Sequence, residues 1–490
     1  MRDYSFGNFI SALRERCGLS QYQLGALVGV SDKAVSKWEN GASKPRIDTI
    51  RKLSEVLDVS VDELLTCEYA AFDKERKDLF AMKNEIIRIA KNKLQELYGS
   101  NPAIEITNRF KTEELMLNGQ ETLLWMGFLG KLYEKFCEKN AYFETRGVQM
   151  GASFVAWLLG GTNVNPLPAH YYCPVCKNVE FVLGTACGLD LADKRCSCGS
   201  EYRKDGFCID AVNMYPFGKW NEIYVSNNGT GLVKHCLQEF FKGYGEIREI
   251  KIVDDEAVEV YLQEQLVLTR YVLLSREMAK RYPDEMIQVK SEEYFRLMDE
   301  ISVLTVLENV EEHISCRNLF NTDFTTHQIE KYFEYAVKND VFKGWDGSME
   351  LGKILADLKE PKFSDLISIL GLMHGTGVWK GNGELLYDEG ISLEELITCR
   401  EDVYSYLYSK MNGKCCDNPS GQVFEIKECV RKGKYSNNRM PVEVECMLLE
   451  CDIPKWYVES MKKIRYLFPK THIIAELKRN ICKYAVSEMV

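Results

Sequence analysis

The sequence predicts a mixed α/β, mostly helical protein built from several domains. Three features carry this. The chain has 490 residues, the length of two to four domains. Its first 66 residues hold five short apolar stripes at helical spacing, set off by capping residues and glycine. A charged, helix-prone stretch over 67–110 follows, and then a long region without repeats or low-complexity tracts. The hydrophobic fraction, 46%, is that of an ordinary globular protein and suffices for large cores.

The first unit reads in order. Phe9, Ile10 and Leu13 mark an opening helix. Ser20-Gln-Tyr-Gln23 has the form of a capping box, in which the serine and the glutamine three residues on satisfy each other's backbone donors. Leu24 and Leu27 continue that helix, and Gly29 breaks it. Ser31 caps a third helix through Trp38, which Gly41 and Pro45 end. Ile50, Leu53 and Leu57 form a fourth stripe, and Ser60 with Glu63 makes a second capping box before Leu64 and Leu65.

This order, carried by Leu19-Ser-Gln-Tyr-Gln-Leu-Gly-Ala-Leu-Val-Gly-Val-Ser-Asp-Lys-Ala-Val-Ser-Lys-Trp-Glu-Asn-Gly41, Lys44-Pro45 and Val59-Ser-Val-Asp-Glu-Leu-Leu65, resembles the lambda-repressor/Cro (XRE) family of helix-turn-helix domains. The resemblance implies a five-helix lambda-repressor-like domain over 1–66 that binds double-stranded DNA, with the helix from Asp32 to Asn40 in the major groove. Asp32, Lys33, Ser36, Lys37 and Asn40 then present its reading face. Gln21 and Gln23 sit at the start of the preceding helix, where backbone N–H groups can hold a phosphate. Lys44 and Arg46 follow the reading helix and can grip the DNA backbone, while Trp38 packs inward. The unit's nine basic and nine acidic residues cancel, yet the span from Asp32 to Arg46 is basic. With a net charge of −11 for the whole chain, nucleic-acid contact must come from such local patches.

Residues 67–110 read as a helical connector that leads into a second domain through Ile86, Ile87, Ile89 and Leu94. Two later stretches are distinctive. One is Asn163-Val-Asn-Pro-Leu-Pro-Ala-His-Tyr-Tyr-Cys-Pro-Val-Cys176, continuing to Cys196-Ser-Cys-Gly199 and Tyr202-Arg-Lys-Asp-Gly206. The other is Phe363-Ser-Asp-Leu-Ile-Ser-Ile-Leu-Gly-Leu-Met-His-Gly-Thr-Gly-Val-Trp-Lys-Gly-Asn382, echoed by Val430-Arg-Lys-Gly-Lys434, Ile453-Pro-Lys-Trp-Tyr-Val458 and Lys462-Lys-Ile-Arg-Tyr-Leu-Phe-Pro-Lys470. Together they are similar to the palm and fingers of the PolC-type replicative DNA polymerase III alpha subunit. The resemblance implies a C-family palm over 111–310 with a cysteine-cluster insertion at 173–198, and fingers over 311–490. The family's exonuclease, phosphoesterase-like, clamp-binding and oligonucleotide-binding regions find no counterpart. The expected arrangement is a polymerase core behind a helix-turn-helix.

The polymerase chemistry reads as degenerate. Nucleotidyl transfer uses two divalent metals held by converging carboxylates. The family's Asp-x-Asp pair aligns with Asn221-Glu-Ile-Tyr-Val-Ser226, so Glu222 and Tyr224 stand where two aspartates are expected, and tyrosine is a poor ligand for hard ions. The third aspartate falls near Leu304-Thr-Val-Leu307, which has no acid in register. The His-Pro-Gly-Gly stretch is replaced by Leu268-Thr-Arg-Tyr-Val272. The phosphate-receiving loop becomes Arg146-Gly-Val-Gln-Met-Gly-Ala-Ser153, which keeps Gly151 and Ser153. Two arginines of the fingers correspond to Glu350 and Lys353, and His374 completes a residual nucleotide site. Asp210, Asp254 and Asp255 are acids available elsewhere, and Mg2+ is expected only if polymerase activity survives. No catalytic residue is expected.

Of the eighteen cysteines, Cys173-x-x-Cys176 and Cys196-x-Cys198 form two close pairs separated by nineteen residues. Four thiolates can enclose a structural Zn2+ tetrahedrally, with no open position for chemistry. The second pair is one residue shorter than the family's, and Cys187 and Cys208 are substitute ligands. The remaining cysteines read as reduced thiols. No membrane-spanning stretch or signal peptide appears, so the expected location is cytoplasmic, in the bacterial nucleoid.

Three functional readings follow. The first is a sequence-specific DNA-binding regulator of transcription whose polymerase-like module binds DNA, a nucleotide or a replication protein. The second is an active or residual DNA-directed DNA polymerase, and the third a non-catalytic replication decoy. Double-stranded DNA is the common partner, and a second copy of the chain is a further candidate.

Overall fold

Capping chemistry sets the first elements. A computed structural model of the protein describes residues 4–16, 19–57, 59, 61–66, 74–117, 122–146, 148–214, 221–226, 229–240, 245–252, 255–262, 265–274, 304–308, 315, 319, 324–339, 352–355, 358, 361–414 and 419–487, for some of them the backbone alone. Five helices come first: α1 (Tyr4–Arg16), α2 (Gln21–Val28), α3 (Asp32–Glu39), α4 (Ile47–Leu57) and α5 (Val61–Thr66). Ser20 and Gln23 close the expected capping box of α2, and Gly29 ends it at φ 78°, a left-handed conformation that favours glycine. Ser31 caps α3 through Ala34 N–H. Leu13, Leu24, Val35, Leu53, Leu57 and Leu64 lie at the centre of one core, fully buried. The capping box read at Ser60 and Glu63 lies outside the described residues.

The second region is built on two further cores. Helix α6 (Lys74–Tyr98) buries Ile86, Ala90, Leu94 and Tyr98, a stripe at every fourth residue. It packs in the same core as α7 (Ile104–Leu117), α8 (Thr122–Glu138) and the short α10 (Phe154–Leu159), which follows α9 (Val148–Gly151). α11 (Gly229–Phe240) closes that core through Val233, Cys236 and Leu237. The largest core is formed mainly by α12 (Thr326–Lys338), α13 (Phe363–His374), α14 (Glu384–Asp388), α15 (Arg400–Met411), α16 (Ser420–Arg431), α17 (Val442–Glu450), α18 (Lys455–Lys463) and α19 (Lys470–Ser487).

A six-stranded sheet runs β1-β5-β9-β8-β7-β6, with β1 (Phe143–Arg146), β5 (Asn221–Val225), β6 (Gly245–Ile252), β7 (Asp255–Leu262), β8 (Gln265–Leu274) and β9 (Leu304–Glu308). β9 is parallel to both of its neighbours, and the other pairs are antiparallel. A small second sheet, β3-β2-β4, carries the cysteine insertion through β2 (His170–Tyr172), β3 (Val179–Phe181) and β4 (Arg203–Asp205). The mixed, mostly helical fold class is therefore that of the protein.

One cysteine departs from the expectation of reduced thiols. Cys451 is disulfide-bonded, while the other described cysteines are not. Cysteine spacing alone does not distinguish an oxidised thiol from a reduced one. Among the described residues no helix is long and apolar enough to cross a membrane.

Candidate nucleic-acid interface and metal centre

Helix α3 divides its side chains cleanly. Val35 and Trp38 are buried, while Asp32, Lys33, Lys37 and Asn40 are exposed and Ser36 is half-buried. Asn40 Nδ2 donates to Ser36 Oγ at 3.3 Å, and Asp32 accepts from Lys33 N–H at 2.8 Å. Lys33 and Lys37 thus stand out as cations on a helix face supported from behind. Lys44 is exposed with its ammonium 5.6 Å from the Phe6 ring centre, and Arg46 is also exposed.

The two glutamines at the start of α2 are held within the domain. Gln23 Oε1 accepts the Ser20 N–H at 2.8 Å. Gln21 Nε2 donates to Glu39 Oε2 at 2.7 Å, and the same carboxylate accepts from Arg14 at 2.5 and 3.2 Å. Arg14, Gln21 and Glu39 therefore tie α1, α2 and the end of α3 together. Sequence reasoning missed this hub and also missed Tyr22. That ring lies between the two glutamines and is 73% exposed at the same helix start. Its only signal in the sequence is a large ring off the Leu24/Leu27 stripe.

The cysteine pairs converge. Cys173 follows β2 directly, and its N–H donates to Asn178 O at 2.8 Å, turning the first knuckle. Cys196 N–H donates to Ser200 O at 2.8 Å and turns the second, with Gly199 at φ 92°. Cys173 and Cys198 Sγ are 3.5 Å apart, Cys176 and Cys196 Sγ 3.4 Å, and all four sulfurs lie within 4.8 Å of one another. Four thiolates about 2.3 Å from a zinc ion would be spaced about 3.8 Å apart, so the set fits a tetrahedral metal. Burial raises the Cys173 thiol pKa, but the Ser200 hydroxyl at 2.9 Å and the N–H groups of Cys176 and Val175 outweigh it and hold it at about 5. A thiolate is the form that ligates. Cys187 and Cys208 stand apart, the first buried in the large core, the second donating to Thr185 O.

The sheet face that would hold polymerase metals is arranged differently. Glu222 pairs with Thr305 and Tyr224 with Leu307 across β5 and β9, while Glu144 of β1 pairs with Tyr224. Glu144 is fully buried, accepts from Tyr142 Oη at 2.6 Å, and meets Arg479 of α19 at 3.4 Å. Tyr224 packs half-buried against the large core. The side chain of Glu222, and Asp254 and Glu350 altogether, lie outside the described residues, as does the side chain of Asp255. Asp210 is exposed and accepts the Val212 N–H at 2.9 Å, a local turn.

The residues expected to form a phosphate-receiving loop are engaged by the chain itself. Ser153 is buried, caps α10, and donates to Glu113 Oε2 at 2.8 Å. Glu113, also fully buried, accepts from Phe154 and Val155 N–H at 2.8 and 3.0 Å and pairs with Arg109. A Cβ on Gly151 would meet Thr471 at 2.6 Å, so α19 lies directly against this loop. His374 stacks on Phe468 at 4.5 Å with Nε2 3.9 Å from Glu476 of α19, and burial lowers its pKa. Gly151 and His374 thus share one covering helix. Lys353 is exposed on the helical residues 352–355.

Residues 10–64 match the helix-turn-helix family model, in keeping with five short helices on one core that leave Lys33 and Lys37 of α3 exposed. The region behind it is similar to PolC-type DNA polymerase III. The protein from Clostridium perfringens is 28% identical over 461 residues, covering 80% of this chain and 31% of the relative. Those from Ureaplasma parvum and Bacillus cereus are 26% and 27% identical, covering 78% and 84% of this chain. The protein therefore joins an XRE-type helix-turn-helix to a PolC-like region, and it spans about a third of the length of the curated relatives it matches.

Proposed function

We propose that this protein is a sequence-specific, duplex-DNA-binding regulator of transcription whose PolC-like region binds DNA, a nucleotide or a replication partner without copying DNA. The observation that carries the reading is the exposed face of α3, where Lys33 and Lys37 project from a helix buried on its other side by Val35 and Trp38. The domain needs no cofactor for this, because groove entry uses shape and phosphate contact uses charge.

Selection of duplexes from a randomised library by the full chain tests it. A recovered consensus, matched by discrete genomic occupancy, supports regulation, and a palindromic one adds a second copy as partner. Failure to enrich any duplex overturns the reading, and occupancy that tracks replication forks points instead to a replication role.

Cys173, Cys176, Cys196 and Cys198 would hold one zinc ion per chain, since their sulfurs all lie within 4.8 Å of one another. Bound there, zinc would fix the insertion and leave no position for chemistry. Elemental analysis of protein purified without added metal should give one zinc per chain. A metal-free, fully folded protein would sink this assignment.

A further inference from the structure

Where α6, the end of α10, β4 and α19 meet, they wall a cavity of about 250 Å3. It lies at the end of α10 away from the Ser153 cap, and it shares no residue with α3 or with β1, β5 and β9. The Tyr133 ring forms one wall, packed so closely on Gly160 that a Cβ there would strike it. Trp157, Tyr172 and Phe324 supply three further rings.

Cations outnumber acids on this lining: Lys93, Arg203, Lys204 and Lys478 stand beside Glu96 and Asp205. Lys204 is fully engaged, since its Nζ donates to Leu191 O and Thr326 Oγ1 at 2.7 Å and pairs with Asp193 at 2.7 Å. Asp205 is engaged as well, accepting from Asn165 Nδ2 at 3.0 Å and from Gly206 N–H at 2.9 Å. Lys478 differs. It is 6% exposed and its Nζ donates to Asn163 O at 2.6 Å, but its other two N–H groups have no partner, and no carboxylate pairs with it, among the described residues. Thr162, 2% exposed, accepts the Val164 N–H at 3.3 Å, and its own hydroxyl proton has no acceptor among the described residues. Burying a charge or a hydroxyl without such partners is costly. Two buried side chains with unused donors therefore line one cavity.

We propose that this cavity binds an aromatic carboxylate. A carboxylate only accepts hydrogen bonds, so it would take the unused donors of Lys478 and Thr162. Four rings on the lining suit a planar apolar body. A cavity of about 150 Å3 admits benzene, so this one admits one or two fused rings carrying a single charge. Such a ligand is neither DNA, nucleotide nor protein, and the site stands or falls without α3.

Isothermal titration calorimetry of the full chain with 2-naphthoate tests this. One molecule should bind per chain. The alcohol 2-naphthalenemethanol keeps the rings and lacks the charge, and it should bind about tenfold or more weakly, the worth of a hydrogen bond to a charged group. Lys478→Met should remove that discrimination by weakening naphthoate and not the alcohol. Lys93→Gln, at a half-buried position of the lining, should weaken naphthoate about threefold.

Absence of saturable naphthoate binding overturns the proposal, and so does equal affinity for the alcohol. Displacement of naphthoate by AMP or inorganic phosphate at equal concentration would give the cavity to phosphate chemistry and also overturns it. A folded Lys478→Met variant that still discriminates acid from alcohol does the same. Should Lys478→Met melt well below wild type, Lys93→Gln decides the location, and unchanged naphthoate affinity in it overturns the proposal.

Discussion

Helix α3 and the β1-β5-β9 sheet face are both candidate seats of function, and they treat side chains in opposite ways. On α3 the candidate groups point outward, and the core behind them is complete without them. On the sheet, described groups of the corresponding face are taken up within the chain. Glu144 is buried against Arg479, Tyr224 packs into the largest core, and Thr471 abuts Gly151. An exterior site survives as long as its scaffold folds. An interior site needs polar groups kept apart for metals and substrate, and each group that finds a partner within the chain closes part of it. The buried Glu113 illustrates this, since its carboxylate takes up the Ser153 hydroxyl and two backbone N–H groups at the start of α10.

The largest expected effect is all-or-none. Primer extension by the full chain with magnesium or manganese should give no template-dependent product, because positioned metal charge supplies most of phosphoryl-transfer catalysis. Product that disappears in Glu222→Ala would break the comparison and restore the sheet face as an active palm. Product that survives Glu222→Ala but disappears in Asp254→Ala would move the palm carboxylates to another strand.

Next in size is Glu113→Ala. It removes the acceptor of Ser153 and of two backbone donors, and leaves the Arg109 guanidinium without its carboxylate. Breaking a buried pair from one side costs about 3–5 kcal/mol, read as a fall in the urea midpoint. An unchanged midpoint would show that the loop does not depend on this carboxylate.

Smaller again is the change on α3. Lys33→Ala and Lys37→Ala should each weaken binding to the selected duplex by roughly 1–3 kcal/mol if they contact bases, with the melting temperature unchanged. Equal affinity of the double variant and wild type would move the interface off this helix face.

What could be read in advance follows the same division. The helices of the N-terminal unit were legible because their signals are local: Ser20 with Gln23, Gly29 and Ser31 each act within four residues. The cysteine cluster was legible because two close pairs restrict where four sulfurs can go. The sheet order was not, since β5 and β9 pair across some eighty residues of chain. Glu113 was hidden for a related reason. It lies on α7 among other charged residues, and only folding brings it to Ser153, forty positions on. The Gln21–Glu39–Arg14 hub joins three helices and leaves no pattern in any one of them.

The smallest prediction concerns a residue that both supports and borders the reading face. Ser20 Oγ accepts the Gln23 N–H at 3.2 Å, and Gln23 returns the bond to Ser20 N–H at 2.8 Å. Ser20→Ala removes the first and leaves the second, so it should cost about 1 kcal/mol of stability, the usual price of an N-cap. The α2 start would fray in solution, and Gln21 would lose its fixed position against Glu39 of α3. Duplex affinity should therefore fall by a small factor, and Ser20→Asp, which restores the acceptor, should recover most of the stability. If Ser20→Asp recovers stability but further weakens DNA binding, the added negative charge lies close to a phosphate, and the start of α2 is part of the interface. If it restores both, the cap acts only on the fold, and contact with DNA is confined to α3 and the residues after it.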